Sequence, residues 1–314
     1  MITSFFKTSK PIHYIIFLII LIAVFAFQRI TWSNDAINVT NILKETAYLL
    51  VVLVSFVILI FIVTKNKLTH NNSYAALYFC LFISLMPISL EENSILVSNL
   101  FILLSLRRII SLKTKTNIKK KLFDASMWIC LATIFEPWAI LFFGLLFMGI
   151  LFYSLTQIKN ILIPFFGVLT VGILITCFQL LTVGYFPNYA KYLPVFSVDL
   201  ITEEALLSQG ASLLFLAIIL VVILIFVVKG VLKNRKNNPS FLVLISTVFI
   251  GIAVSFLSAQ MPSGGYLFAV VPSAVLVANF SETVKPRWLS ELVIGVLLLA
   301  VVLQFGCNIS SLLN

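Results

Sequence analysis

The feature that most limits the fold of this chain is a series of long apolar runs, which recur from residue 11 to residue 306. A bilayer core is about 30 Å thick and a helix rises about 1.5 Å per residue, so a span needs about 20 mostly apolar residues. Runs without the period-two alternation of barrel strands favour helices. The sequence therefore predicts eleven spans, at about residues 11–28, 46–64, 73–90, 94–112, 120–135, 138–155, 161–182, 211–229, 239–258, 265–280 and 289–306.

The composition supports a membrane location and excludes other classes of protein. Of the 314 residues, 61% are hydrophobic and only 10% are charged. Soluble domains are about 45–50% apolar and about 25% charged, so both a water-soluble fold and a disordered chain are excluded. We therefore expect an all-α, polytopic transmembrane helix bundle that forms a single integral membrane domain over residues 1–314.

The basic residues predict the orientation of the chain, because they lie in short clusters between the apolar runs. If the N-terminus is cytoplasmic, 18 of the 21 Lys and Arg residues fall on the cytoplasmic side. Such an excess is typical of cytoplasmic loops, so we expect the N-terminus inside and the C-terminus outside. The fifth run is short and ends at Glu136-Pro137, but without its crossing only 12 of these residues would lie inside. The clustering also argues against nucleic acid as a partner.

The acidic residues show the opposite distribution. Eight of the eleven fall on the predicted outer side, namely Asp35, Glu45, Glu91, Glu92, Glu136, Asp199, Glu203 and Glu204. Outer loops also need charge to remain in water, so solvation alone is an alternative explanation. No Asp, Glu, Lys or Arg lies near the middle of a predicted span, which disfavours ion-coupled transport. The sequence also lacks the common phosphate-binding, zinc-protease and serine-hydrolase motifs.

Polar segments separate the apolar runs and follow a defined order along the chain. The first outer loop contains Arg29-Ile-Thr-Trp-Ser-Asn-Asp35, and the second contains Pro87-Ile-Ser-Leu-Glu91-Glu92-Asn93. Later features are the break at Glu136-Pro137-Trp138, a long outer loop over residues 185–209, and a segment from Gly265-Tyr266 to Pro272. This arrangement resembles the membrane glycosyltransferases of the GT-C superfamily. The chain also resembles an uncharacterised family of bacterial inner-membrane proteins.

The resemblance to the GT-C superfamily implies a multi-pass protein of the bacterial inner membrane that uses a polyprenyl-phosphate-linked sugar at the extracytoplasmic face. It implies a GT-C-like core over residues 1–182 and C-terminal helices over residues 183–314. Two positions depart from the pattern of the superfamily. Asn34-Asp35-Ala36 replaces a frequent Asp-Glu pair, and Gly265 replaces an Arg that many members carry before the late tyrosine.

Such a transfer needs a carboxylate that orients or deprotonates the acceptor hydroxyl, and positive charge or a metal at the departing phosphate. Asp35 is the candidate base, and Glu91 or Glu92 is a candidate second acid or ligand of a divalent cation. The candidates for binding the lipid phosphate are Arg29, Lys44, Lys191 and Tyr266. Arg29 and Lys44 have an alternative explanation, in which they extend from helix ends to the headgroups.

Two other functions stay open. The first is a non-catalytic integral membrane subunit, or an assembly or secretion partner, whose outer acids would tolerate substitution. The second is a transporter or flippase of lipid-linked material, which would require a polar path between helices. The expected partners are membrane lipids, a polyprenyl-phosphate sugar and other membrane proteins.

Overall fold

The computed structural model describes residues 5–32, 39–86, 90, 92–194, 210–228, 239–258, 264–284 and 288–313. Within these ranges the chain forms eleven α-helices of more than ten residues and no β-strand. The helices are α1 (Pro11–Trp32), α2 (Val39–Asn66), α3 (Tyr74–Ser84), α4 (Asn93–Ile110), α5 (Ile118–Phe135), α6 (Phe142–Phe152), α7 (Ile158–Val183), α8 (Gly210–Val228), α9 (Pro239–Leu257), α10 (Leu267–Thr283) and α11 (Trp288–Leu313).

The predicted all-α membrane bundle is confirmed, since each predicted span coincides with one helix. Six segments are long and apolar enough to cross a membrane: Pro11–Arg29, Val39–Asn66, Asn93–Thr114, Ile158–Val183, Pro239–Leu257 and Trp288–Gly306. Four shorter segments are also apolar: Tyr74–Ser84, Pro137–Phe152, Leu214–Leu224 and Leu267–Thr283. The predicted boundary of α2 is wrong, because the helix begins at Val39 and not near residue 46. Polar residues there continue the helix beyond its apolar stretch.

Helix ends that were predicted to share the cytoplasmic side meet in the structure. The N-terminal segment contacts the connection between α2 and α3, where the backbone N–H of Ser9 donates to the carbonyl of Asn71 at 3.2 Å. Glu282, at the end of α10, accepts hydrogen bonds from the backbone N–H of His70 at 3.1 Å and from the side chain of Asn72 at 2.5 Å. The N-terminal segment, the α2–α3 connection and the end of α10 therefore lie together at one end of the bundle.

The short fifth helix, α5, connects the two ends of the bundle. Near its start, Asp124 forms an ion pair with Arg108 at 2.9 Å, and the ammonium of Lys121 donates to the carbonyl of Ser111 at 2.6 Å. At its other end, Glu136 accepts a hydrogen bond from Ser258, which follows the last residue of α9. The 18 residues of α5 extend about 27 Å, slightly less than the thickness of a bilayer core of about 30 Å. The contacts at its two ends place α5 antiparallel to α4.

The centre of the bundle is formed by α3 and α10. All residues of α3 are buried, and so is α10 from Leu267 to Phe280. Small residues allow close helix contacts, since a Cβ atom added to Gly251 on α9 would lie 2.9 Å from the backbone nitrogen of Ala269 on α10. In contrast, α7 and α11 lie at the periphery, and only 17% of the residues in their most apolar windows are buried.

Candidate functional site

Polar side chains converge where five helices begin or end on the predicted outer side. We call this group the outer cluster, and define it as Arg29, Glu45, Glu92, Asn93, Glu136 and Ser258. These residues lie at or near the ends of α1, α2, α4, α5 and α9. Helix ends carry the polar residues because the apolar interior of each span excludes them. The bundle therefore brings together residues that are far apart in sequence.

Arg29 links three helices on one side of the outer cluster. Its Nε lies 3.1 Å from Oε2 of Glu45, and its Nη1 donates to Oε1 of the same carboxylate at 3.4 Å. Its Nη2 donates to the side-chain oxygen of Asn93 at the start of α4. The guanidinium also lies over the rings of Phe25 and Tyr48, at 5.3 and 5.6 Å from their centroids. The charge of Arg29 is therefore balanced by Glu45, so it is not a free cation.

Glu136 occupies a buried position at the turn between α5 and α6. It precedes Pro137 and has an extended backbone, as expected for a residue before proline, and only 7% of its surface is exposed. Its Oε1 accepts hydrogen bonds from the backbone N–H of Trp138 and from the hydroxyl of Ser258, each at 3.4 Å. Such long hydrogen bonds are weak, so they compensate the loss of hydration only in part.

Burial raises the pKa of the Glu136 carboxyl above its ordinary value, because desolvation disfavours the charged form. The hydrogen bonds from Trp138 and Ser258 oppose this effect, and the negative charge of Glu92 adds to it. A carboxyl with a raised pKa exchanges protons closer to neutral pH than a solvated one. Glu136 is therefore chemically suited to act as a base at this boundary.

Glu92 is a predicted site residue that belongs to the outer cluster, as Arg29 does. It precedes α4 and is half-buried, but its carboxylate makes no capping hydrogen bond to the helix. The next residue, Asn93, contacts Arg29, and the hydroxyl of Ser98 donates to the carbonyl of Ala132 on α5 at 3.0 Å. This α4–α5 contact holds the starting end of α4 beside the final turn of α5, where Glu136 follows.

The other predicted site residues have different placements. Asp35 and Glu91 lie outside the described residues. Lys44 is exposed on α2 beside Glu45. Lys191 is exposed in a 3-10 turn after α7. This turn contacts α7, since the Tyr189 hydroxyl lies 2.7 Å from the hydroxyl of Thr176. Tyr266 is 3% exposed and packs edge-to-face against Phe256, so its ring is part of the core.

The sequence hypothesis did not assign Glu45 and Glu136 to the site. The available signal for Glu136 was a charged residue directly between two apolar runs, without a polar loop around it. The described residues contain no cluster that could hold a divalent cation, since no three of their His, Cys, Asp or Glu side chains lie close enough together.

The chain is similar to one known protein family. A family model with the description "Family of unknown function (DUF6427)" matches residues 5–313, which include all eleven helices and the outer cluster. No curated protein and no solved structure matches the chain significantly.

Proposed function

We propose a function on the premise that this chain belongs to DUF6427, a family of unknown function. In this proposal the protein is a GT-C-like glycosyltransferase of the bacterial inner membrane. It moves a sugar from polyprenyl phosphate to an acceptor hydroxyl at the extracytoplasmic face. The observation that supports the proposal most is the buried carboxyl of Glu136, beside Glu92, at the boundary that the lysine distribution predicts to be external.

The chemistry requires roles that we assign to Glu136 and Glu92 of the outer cluster and to Asp35 and Glu91 of the outer loops. The acceptor oxygen bonds to the anomeric carbon of the sugar while the bond from that carbon to the phosphate oxygen breaks, and polyprenyl phosphate leaves with the electron pair. The carboxylate of Glu136 takes the hydroxyl proton, and Asp35 orients the acceptor. Glu91 and Glu92 supply the second acid or the ligands of a divalent cation.

Because Arg29 is paired with Glu45, another residue is a better candidate for binding the polyprenyl phosphate. Because Arg29 is engaged by Glu45 and Asn93, its role in the proposal is to hold α1, α2 and α4 together. Lys44 is exposed on the same helix as Glu45 and offers an ammonium to the phosphate. Lys191 and Tyr266 have lower priority, since the first lies on the turn against α7 and the second is buried.

The proposal is tested by a transfer assay with membranes that contain the full chain and a radiolabelled polyprenyl-phosphate sugar. We expect Asp35→Asn to reduce transfer by about 10²-fold or more, which is the usual contribution of a group that positions or transfers a proton. Asp124→Asn is the matched control, because Asp124 pairs with Arg108 at the opposite end of the bundle. Equal transfer by wild type and Asp35→Asn would remove Asp35 from the site.

A second candidate function is that of a non-catalytic membrane subunit. It is favoured by α7 and α11, whose apolar surfaces are mostly exposed at the periphery, as for Phe178 and Leu181 on α7. Lipid alone also covers such surfaces. The two functions differ in their sensitivity to mutation, because a subunit would tolerate Asp35→Asn but would lose its partner when large apolar side chains on α7 are replaced.

A further inference from the structure

An open groove of about 510 Å³ lies on the predicted cytoplasmic side, between the N-terminal ends of α5 and α7. Its polar lining includes Lys115, Lys119, Lys120, Ser154, Gln157 and Asn160. The groove is far from the outer cluster along α5, since Lys119 and Lys120 are in the first turn of that helix and Glu136 follows its last residue. It is therefore a separate feature of the molecule.

The groove has a strong positive charge that none of its described lining residues neutralises. The three lysines that line it are exposed, and none of its described lining residues is acidic. The nearby Asp124 is already paired with Arg108 at 2.9 Å. The ammonium of Lys121 donates to the Ser111 carbonyl and to the Thr114 hydroxyl, so it closes one side of the preceding turn. Such an arrangement is suited to an anion.

The backbone around the groove adds to this preference. Three of the four described non-glycine residues with positive φ line it, namely Lys115 (53°), Asn117 (49°) and Ser154 (55°). Left-handed backbone is unfavourable for residues other than glycine, and such conformations concentrate at functional sites. Neither α5 nor α7 has a side-chain cap at its start, so the N–H groups of the first two residues of each helix can donate to a bound anion.

Asn160 fixes the shape of the groove. It is 5% exposed, and its side-chain nitrogen donates to the carbonyl of Leu155 at 3.0 Å. This bond joins the first turn of α7 to the segment after α6. The turn that contains Ser154 is therefore held in place before any ligand binds, which reduces the ordering that binding would require.

Apolar side chains beside the groove identify the source of the anion. Ile158, in the first turn of α7, is 75% exposed, and Leu151, at the end of α6, is 62% exposed. In a membrane, bilayer lipid covers such apolar side chains, so lipid headgroups are the phosphate groups next to the groove. We propose that the groove binds the phosphate headgroup of an anionic lipid of the inner leaflet. This site is independent of the proposed transfer reaction.

The test compares two double variants that remove the same charge from the predicted cytoplasmic side. Lys119→Gln/Lys120→Gln changes the groove, and Lys7→Gln/Lys10→Gln changes exposed lysines outside it. The full chain is purified in neutral detergent at about 0.15 M salt, where long-range surface attraction is screened. Binding of phosphatidylglycerol and of phosphatidylcholine is then measured by titration, with inorganic phosphate as a competitor.

We expect wild type to prefer phosphatidylglycerol over phosphatidylcholine. The groove variant should bind phosphatidylglycerol about tenfold more weakly or worse, since each lysine near an anionic headgroup adds to the free energy of binding. The variant at Lys7 and Lys10 is expected to stay within about twofold of wild type, because those lysines lie outside the groove. An equal loss in both variants would show general surface attraction and would overturn the proposal. Equal binding of both lipids, or displacement by inorganic phosphate at comparable concentration, would overturn it as well.

Discussion

Glu136→Gln is expected to reduce sugar transfer by about 10²–10⁴-fold, which is the usual contribution of a general base. The amide oxygen of Gln can still accept from Trp138 and Ser258, so the turn between α5 and α6 keeps its contacts. The amide cannot take a proton from the acceptor. Because the uncharged side chain is easier to bury than a carboxylate, the variant should fold at least as well as wild type.

The pH dependence separates a base from a merely structural residue. The base must be deprotonated, so transfer by wild type should rise with pH through the raised pKa of Glu136. Folding stability has the opposite sign: the contribution of the buried carboxyl is fully present below its unfolded pKa of about 4.3 and is lost as pH rises through the raised folded value. Glu136→Gln should remove both dependences.

A second variant tests the same assignment without removing the carboxyl. The Ser258 hydroxyl stabilises the charged form of Glu136, so Ser258→Ala should move the rise in activity to higher pH and leave the rate at high pH nearly unchanged. Wild-type transfer by Glu136→Gln, with an unaltered pH profile, would exclude Glu136 as the base.

Gly167→Ala is expected to lower the stability of the bundle by about 1–3 kcal/mol, the usual cost of overpacking a close contact. The added Cβ would lie 1.9 Å from the Ser126 hydroxyl, 2.9 Å from the Ser126 Cβ and 3.1 Å from the backbone nitrogen of Met127. The last two atoms belong to the rigid part of α5. The helices α5 and α7 would therefore have to move apart. This movement would also disturb the groove between them, which is lined by Lys115, Lys119 and Lys120.

Gly172→Ala is the matched control on the same helix, because nothing lies within 4 Å of a Cβ at that position. Alanine favours helix over glycine by about 1 kcal/mol, so the control should raise the melting temperature while Gly167→Ala lowers it. Scanning fluorimetry of both purified variants measures the two shifts. Shifts of the same sign and size would show that α5 and α7 do not pack as described.

The sequence was sufficient to predict the eleven helices, since each coincides with one predicted span. Apolar length is a local property, and even the short fifth run forms a helix, α5. The start of α2 could not be placed, because residues from Val39 onward are polar enough for a loop but continue the helix. Hydropathy locates the apolar part of a helix and leaves its polar extension undetermined.

The outer cluster could be predicted only in part, because its contacts depend on packing between distant segments. The pairing of Arg29 with Glu45 and Asn93 requires the ends of α1, α2 and α4 to meet. The burial of Glu136 involves Ser258, which is 122 residues away in the chain. In the sequence, the groove between α5 and α7 is indicated only by a run of basic residues, because no sequence pattern predicts the left-handed turn at Ser154.

The central claim is that the carboxylates of the outer cluster and the lysines of the groove lie on opposite sides of the membrane. Single cysteines at the exposed positions 44 and 119, in a chain whose four native cysteines are replaced by alanine, test it directly. With a membrane-impermeant maleimide on intact right-side-out spheroplasts, position 44 should be labelled at once and position 119 only after lysis. Labelling of position 119 before lysis, or equal labelling of both positions, would contradict the account.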